Sequence, residues 1–356
     1  MGDNLKIIVV DDSVSYRNII SKIIAGIKDV EFVGTAADGK IALAKIEQFK
    51  PDLVISDIMM PVMNGIELLE IINKRYQDMD VIIVSGIGSD QSHLTVRALE
   101  LGALDFITKP PCSEASVQEN YDQIKNMLMP VISLAKTRKY TREIRKLSSV
   151  ATEQEPIQNK IVDTVKPVKQ LGKKISKIDV IAVGVSTGGP KALIEIIPQL
   201  KNIELPILAV QHMPPLFTQT LAERLNKLSM IQVVEAQQGE IIQNGVMYFA
   251  PGGVHMIIKK KATQVEIDLI DTVPVNSCKP SVDVLFNSIA NVYGGNVLTV
   301  ILTGMGNDGA KGVTTIRKKG GYSLIQDEKT SVVWGMPGSV FNLNQADEVL
   351  PLHQIA

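Results

Sequence analysis

Short apolar runs separated by stretches of helical period recur in both halves of the chain, and a polar tract lies between them. In the first half the runs are KIIVV (6–10), EFVGT (31–35), DLVIS (52–56), DVIIVS (80–85) and DFIT (105–108). Between them, apolar residues fall three and four apart, the spacing of one helix face. Strands this rich in Val and Ile are buried on both sides, so the pattern predicts a parallel sheet with helices on each face. From 138 to 177 the apolar runs stop. Residues 153–156 and 165–174 are rich in Lys, Gln, Glu, Thr and Pro, the composition of a solvated, flexible linker. The start of that tract, to about 147, has enough helical character to extend the preceding helix. Alternation resumes at 178, with strands expected near 180–184, 206–211, 246–250, 297–303 and 322–326. The runs at 255–260 and 264–269 predict an antiparallel hairpin on an edge. The expectation is an α/β domain over 1–137, a linker over 138–177, and a second, doubly wound, mostly parallel α/β domain over 178–356.

Composition narrows the function classes. A chain of 356 residues exceeds one ordinary domain, which agrees with the two-part pattern. A net charge of −1 supplies no field for nucleic acid or an anionic membrane. The opening MGDNLKIIVVDDS has an apolar run too short for a signal peptide, and no run reaches bilayer-spanning length. A cytoplasmic protein without membrane insertion is therefore expected. Two cysteines, Cys112 and Cys278, are too few for a disulfide framework or a metal cluster, and neither has a sequence context that suggests reactivity.

In a parallel α/β sheet, ligands collect at the carboxyl ends of the strands. Those ends carry Asp11 and Asp12 after the first strand, Asp57 after the third, Ser85 after the fourth and Lys109 after the fifth. Three converging carboxylates repel one another, so a hard divalent cation is their natural occupant, and Mg²⁺ suits them. The same ion would neutralise a phosphoryl group carried on an Asp, with Lys109 pairing to it and the Ser85 hydroxyl donating to it. Lys109 precedes Pro110, and a cis peptide there would fix its approach. Singly, an Asp after a strand is a helix cap and Lys-Pro is a turn; five such residues at the right strand ends ask for a common explanation.

This half resembles the receiver domain of two-component response regulators over about 5–128, through VVDDS (9–13), DLVISDIMMP (52–61) with Asn64-Gly65, and GALDFITKP (102–110). The resemblance implies a flavodoxin-like, five-stranded sheet and Asp57 as phospho-acceptor. It also implies Mg²⁺ held by Asp12 and Asp57, with Asp11 assisting through water, and Ser85 and Phe106 as a switch pair. A histidine kinase is the implied phosphodonor. Gly86 departs from the bulkier residues frequent after that serine.

The second half turns on DVIAVGVSTGGP (179–190). A strand stops at Gly184, Ser186 stands in the turn, and Gly188-Gly189-Pro190 opens a helix. Such a turn suits a nucleophile with the start of an oxyanion hole, a phosphate-cradling loop, or a helix cap by Ser186 or Thr187. A nucleophilic serine needs a base, and the chain offers His93, His212, His255 and His353. His93 lies in the first domain and His353 in the tail. His212 ends PILAVQHMP (206–214), at a strand's carboxyl edge like Ser186, whereas His255 begins the hairpin and reads as structural or substrate-side. A third strand end, TVILTGMGNDGA (299–310), brings Asp308, which by itself would cap the following helix. Gly304 and Gly306 let that loop approach closely, so that the Met305 N–H can polarise a carbonyl. Ser, His and Asp from three strand ends point to a hydrolase acting on an ester or amide.

From about 178 to 350 the chain resembles the chemotaxis protein-glutamate methylesterases, the CheB family, through VGVSTGGP (183–190), VQHMP (210–214), FAPGGVHM (249–256), KPSVDVLF (279–286), LTGMGNDGA (302–310) and VVWGMPGS (332–339). The resemblance implies Ser186 as nucleophile, His212 as general base, Asp308 as its orienter, Thr187 flanking, and Met305 giving an oxyanion-hole amide. It implies hydrolysis of glutamate γ-methyl esters on methyl-accepting chemoreceptors, with glutamine deamidation in some members. A CheA-type kinase would phosphorylate the receiver. No cofactor is implied for hydrolysis, and Mg²⁺ belongs to the receiver. Lys279 stands where Arg is usual, Trp334 replaces a common Tyr, and Gly338 falls where a basic residue is common. The pairing of domains implies a switch in which the unphosphorylated receiver covers the Ser186 cleft. Two other classes are weighed against this: a phospho-regulated binding module, and a DNA-binding regulator. No Gly-Lys-Ser/Thr loop and no basic recognition helix supports either.

Overall fold

The structure, a computed structural model, describes residues 4–110, 117–150 and 177–356. The linker segments 153–156 and 165–174 and Cys112 lie outside the described residues. The chain divides into two compact units, Met1–Val162 and Asp163–Ala356.

In the first unit β1 (Leu5–Val10), β2 (Val30–Ala36), β3 (Leu53–Asp57), β4 (Asp80–Ser85) and β5 (Asp105–Thr108) form a parallel sheet in the order β2-β1-β3-β4-β5. Ile7 to Val10 and Leu53 to Ile55 are fully buried, as strands covered on both faces must be. The covering helices are α1 (Val14–Ala25), α2 (Gly39–Phe49), α3 (Gly65–Arg75), α4 (Ser89–Leu101) and α5 (Val117–Val150). The chain leaves β1 for β2 on one side and returns to β3 on the other, which opens a crevice above the carboxyl ends of β1 and β3. α3 is pinned beside that crevice by a capping box. Asn64 accepts from Ile66 N and Glu67 N, and Glu67 accepts from Asn64 N. Gly65 is required there, because a Cβ would lie 2.1 Å from the Asp57 carbonyl oxygen. α5 runs through the start of the tract read as linker. Lys139 Nζ holds it to the sheet at Asp52 Oδ2 and Asn4 O, each at 2.9 Å.

Among the described residues the second unit has seven parallel strands and a hairpin. The strands are β6 (Val180–Val185), β7 (Ile207–Gln211), β8 (Gln232–Glu235), β9 (Val246–Phe249), β12 (Val297–Ile301), β13 (Tyr322–Gln326) and β14 (Glu348–Leu350), with β10 (His255–Lys261) and β11 (Gln264–Ile270) making the hairpin. The large sheet runs β14-β13-β12-β6-β7-β9-β8. Its edge strands β8 and β14, of four and three residues, are absent from the sequence expectation because they are too short to show a period. The hairpin forms its own two-stranded sheet instead of joining an edge of the large one. Met256, Ile258 and Ile267 face the core, and Ile258 N donates to Ser288 Oγ (3.1 Å) on α8 (Val282–Tyr293). The remaining helices are α6 (Gly189–Ile196), α7 (Phe217–Leu228), α9 (Ala310–Lys318) and α10 (Gly335–Asn342). The chain leaves β6 in one direction toward β7 and later fills β12 on the other side, so β12, β6 and β7 end side by side at a second switch point. Among the described residues no helix is long and apolar enough to cross a membrane.

Candidate active site

The crevice of the first unit gathers the expected acids. Asp57 ends β3 and is buried; its Oδ1 accepts from Ile58 N (2.7 Å) and its Oδ2 from Lys109 Nζ (2.7 Å). Lys109 Nζ also lies 2.9 Å from Asp11 Oδ2, a charge contact without hydrogen-bond geometry, and 4.7 Å from the centre of the Tyr16 ring. Ligand oxygens of Asp11, Asp12 and Asp57 all lie within 4.8 Å of one another. Burial raises the Asp57 carboxyl above its ordinary range; the bond to Lys109 opposes this and repulsion from Asp11 adds to it. Three converging carboxylates with a single lysine among them fit a hard divalent cation such as Mg²⁺. Ser85 accepts from Thr95 Oγ1 (2.8 Å) and donates to Gly86 O (3.2 Å). Register pairs Ile83 with Phe106 and Ser85 with Thr108, so Ser85 and Phe106 share one face of the sheet. One expectation fails: Lys109–Pro110 is not cis, and the cis X-Pro bond among the described residues is Lys279–Pro280. The approach of Lys109 is set instead by its N–H on Ser85 O (2.7 Å) and by Tyr16 Oη donating to Pro110 O (3.1 Å).

In the second unit Ser186 is the first residue past β6. Its N–H donates to Thr303 O (3.0 Å), and its carbonyl accepts from Gly189 N (2.7 Å) and Gln211 Nε2 (3.1 Å). The N-cap of α6 is Gly188, at φ +77, so Ser186 and Thr187 are not the cap. A Cβ at Gly188 would meet Val332 at 2.6 Å. The loop carrying Met305 passes over the serine: a Cβ on Gly304 would lie 2.8 Å from Ser186 Cβ. The Met305 N–H donates to no backbone carbonyl among the described residues. Thr187, buried, accepts at its carbonyl from Thr303 Oγ1 (3.0 Å).

His212 and Asp308 meet directly, Nε2 to Oδ2 at 2.9 Å. Asp308 does not cap α9, whose N-cap is Gly309. It serves the N-terminus of α8 instead, where Oδ2 accepts from Val282 N (2.6 Å) and Oδ1 from Asp283 N (3.2 Å) and Ser281 Oγ (2.8 Å). A carboxylate is favoured at that helix end. Burial works against the Asp308 charge, but the His212 bond and then the Asn276 and Val282 bonds outweigh it, holding the carboxyl at about 2. Burial likewise favours neutral His212, and the Asp308 and Cys278 contacts overcome it, raising the imidazole to about 9. Ser186 stands next to His212 by continuation of the β6–β7 register, which pairs Val185 with Gln211. Its hydroxyl makes no hydrogen bond to the ring among the described residues; Nδ1 faces Cys278 Sγ at 3.6 Å. His255 is fully buried, accepting from Ser281 N at Nδ1 (3.1 Å) and donating from Nε2 to Val273 O (3.1 Å), as a structural residue would.

Sequence reasoning missed Asn276 and Cys278. They belong to a tight turn in which Val275 and Cys278 exchange two backbone hydrogen bonds (3.0 and 2.9 Å), with Asn276 at φ 52 and Ser277 at φ 62. Asn and a small polar residue between apolar flanks is the available signal for such a turn. The turn delivers Asn276 Nδ2 to Asp308 Oδ1 (2.8 Å) and Asp283 Oδ2 (2.9 Å), and Cys278 Sγ to His212. Cys278 is thus in contact with the imidazole, although its sequence context gave no sign of reactivity. Lys279 Nζ pairs with the exposed Asp271 (2.6 Å). Trp334 packs close over Gly338, where a Cβ would lie 3.0 Å from the indole, and its Nε1 donates to Gln326 O (3.1 Å).

A receiver-type sheet and a doubly wound domain with a His–Asp pair beside a serine turn define a phosphorylation-regulated hydrolase class. The family described as response regulator receiver domain matches residues 7–119, and that described as CheB methylesterase matches residues 181–356. The protein-glutamate methylesterase/protein-glutamine glutaminase of Desulfotalea psychrophila is 43% identical over 359 residues, covering 99% of this chain and 97% of that protein. The protein of that name from Trichodesmium erythraeum is 43% identical over 352 residues, with 99% and 97% covered. The crystal structure of the Thermotoga maritima CheB methylesterase catalytic domain is 42% identical, with TM-score 0.49, and covers 50% of this chain and 95% of that one. The chain belongs to the CheB family, in which a receiver domain precedes a methylesterase domain.

Proposed function

We propose that this chain hydrolyses glutamate γ-methyl esters on methyl-accepting chemoreceptors, releasing methanol, and that phosphorylation of Asp57 raises the rate. Ser186 Oγ attacks the ester carbonyl. His212 accepts its proton at Nδ1, because Nε2 is committed to Asp308. The Met305 N–H, which has no backbone partner among the described residues, stabilises the developing oxyanion. Collapse expels methanol, protonated by His212, and leaves an acyl-Ser186; water activated by the same imidazole then frees glutamate. An amide enters the same route with ammonia as leaving group, which supports deamidation of receptor glutamines by this chain, as the relatives' names indicate. Hydrolysis asks for no cofactor. Asp11, Asp12 and Asp57 would hold Mg²⁺, which when bound neutralises the carboxylates and the incoming phosphoryl group. The phosphodonor would be a chemotaxis histidine kinase of the CheA type.

The observation that carries this reading is the His212–Asp308 bond at the sheet's switch point beside the Ser186 turn. The test is methanol release from methylated receptor membranes by wild type and Ser186→Ala, with and without acetyl phosphate and Mg²⁺. Release that needs Ser186 and rises with the phosphodonor is expected. A folded wild type that releases none in either state would refute the assignment.

A further inference from the structure

His212 Nδ1 and Cys278 Sγ face each other at 3.6 Å, and hydrolysis uses only the first of them. The other ring nitrogen is held at 2.9 Å by a buried carboxylate that already accepts from Asn276, Ser281, Val282 and Asp283. Asp308 offers only acceptor atoms there, so Nε2 keeps its proton and Nδ1, facing Cys278, is the nitrogen that can give up a proton and donate a lone pair. A histidine whose N–H is fixed by a carboxylate while its second nitrogen faces a thiol is held as metal-binding histidines are held. The separation also fits. Zn–S and Zn–N bonds of about 2.3 and 2.0–2.1 Å at a tetrahedral angle place the two ligand atoms about 3.6 Å apart. The turn closed between Val275 and Cys278, and anchored by Asn276 on two buried acids, keeps the sulfur at that distance. Cys278 is only half-buried, so solvent can fill the remaining coordination positions.

We propose that His212 Nδ1 and Cys278 Sγ form a site for a thiophilic divalent cation, with Zn²⁺ as the reference ion, and that its occupancy blocks hydrolysis. The ion replaces the protons on Nδ1 and Sγ and takes the lone pair that would accept the proton of Ser186. The blocking half rests on His212 being the base; the binding half does not. The site differs in kind from the acid pocket of the first unit, which offers only carboxylate oxygens to a hard ion.

The test uses the full chain in excess Mg²⁺, which fills the acid pocket. Co²⁺ is titrated while thiolate-to-metal charge-transfer and tetrahedral d–d absorption are recorded, and Zn²⁺ affinity is read by competition with a chromophoric chelator. Wild type and Cys112→Ser should show the band, and Cys278→Ser should lose it and bind Zn²⁺ at least about 10- to 100-fold more weakly. In wild type itself, Zn²⁺ should protect Cys278 from iodoacetamide, read by peptide mass spectrometry, so the result does not depend on a variant folding. No band in wild type, a band that survives Cys278→Ser, or no protection overturns the site. Methanol release is then measured for each protein against its own metal-free rate. Suppression in wild type that Cys278→Ser relieves supports the whole proposal. Zinc bound through Cys278 with release unimpaired overturns the blocking role.

Discussion

Replacing Asp308 by Asn removes a buried charge on which five donors converge. Oδ1 accepts from Asn276 Nδ2 (2.8 Å), Ser281 Oγ (2.8 Å) and Asp283 N (3.2 Å), and Oδ2 from Val282 N (2.6 Å) and His212 Nε2 (2.9 Å). An amide has one acceptor oxygen. With that oxygen on the Oδ1 side, its NH₂ faces Val282 N–H and His212; flipped, it faces three donors. His212 can adapt by shifting its proton to Nδ1, but the Val282 N–H cannot. Hydrogen bonds to a charged group contribute about 1.5–3 kcal/mol each, and breaking a buried charged pair costs about 3–5 kcal/mol. Relief of the repulsion between Asp308 and Asp283, both buried, offsets part of this. The expected destabilisation is therefore about 3 kcal/mol, at the lower end of the range for a broken buried pair. Activity should fall much further, by about 10⁴-fold, because the ring is left in the wrong tautomer to accept the Ser186 proton. Urea unfolding followed by fluorescence of Trp334, the chain's single tryptophan, reports the second unit alone, and methanol release reports the chemistry. A loss below about 1 kcal/mol together with activity within about tenfold of wild type would refute the argument.

Because His212 accepts a proton only when neutral and its pKa is raised from 6.5 to about 9, methanol release should climb with pH along a limb centred well above 6.5. A limb centred at or below 6.5 would contradict the assignment. The same pair bears on stability. The raised His212 value makes its contribution complete below 6.5 and lost as pH rises through about 9, while the depressed Asp308 value makes its contribution complete above 3.8 and lost as pH falls through about 2. The difference in urea midpoint between wild type and Asp308→Asn should therefore be widest from about pH 4 to 6.5 and shrink on both sides. Gly304→Ala should place a methyl 2.4 Å from Met336 Sδ and 2.8 Å from Ser186 Cβ. Overpacking of that kind costs about 1–3 kcal/mol, and kcat should drop more than stability does; wild-type kcat would show that the loop does not press on the serine.

Much of this protein is legible locally. An apolar β-branched run that halts at a polar residue marks a strand's carboxyl end from a few residues of text, so Asp11, Asp57, Lys109, Ser186, His212 and the loop to Asp308 all fall at ends of strands where expected. The alternation of such runs with helical periods also implies parallel sheets, because parallel strands need crossovers. Strand order is not local, and it decides the sites. β12, β6 and β7 lie side by side although more than a hundred residues separate the first two, and that order puts the loop carrying Asp308 at the same sheet edge as His212. Which helix Asp308 serves, and that the X-Pro bond in cis is at Pro280 and not Pro110, follow from packing around those positions and not from the dipeptides themselves. The Cys278–His212 contact spans 66 residues and depends on a left-handed Asn276–Ser277 turn lying over one strand end. The sequence by itself determined the elements and the residues at their ends, since both depend on near-neighbour sterics and period. Only the tertiary structure decided which of those residues touch, because contact depends on how distant elements share one buried core.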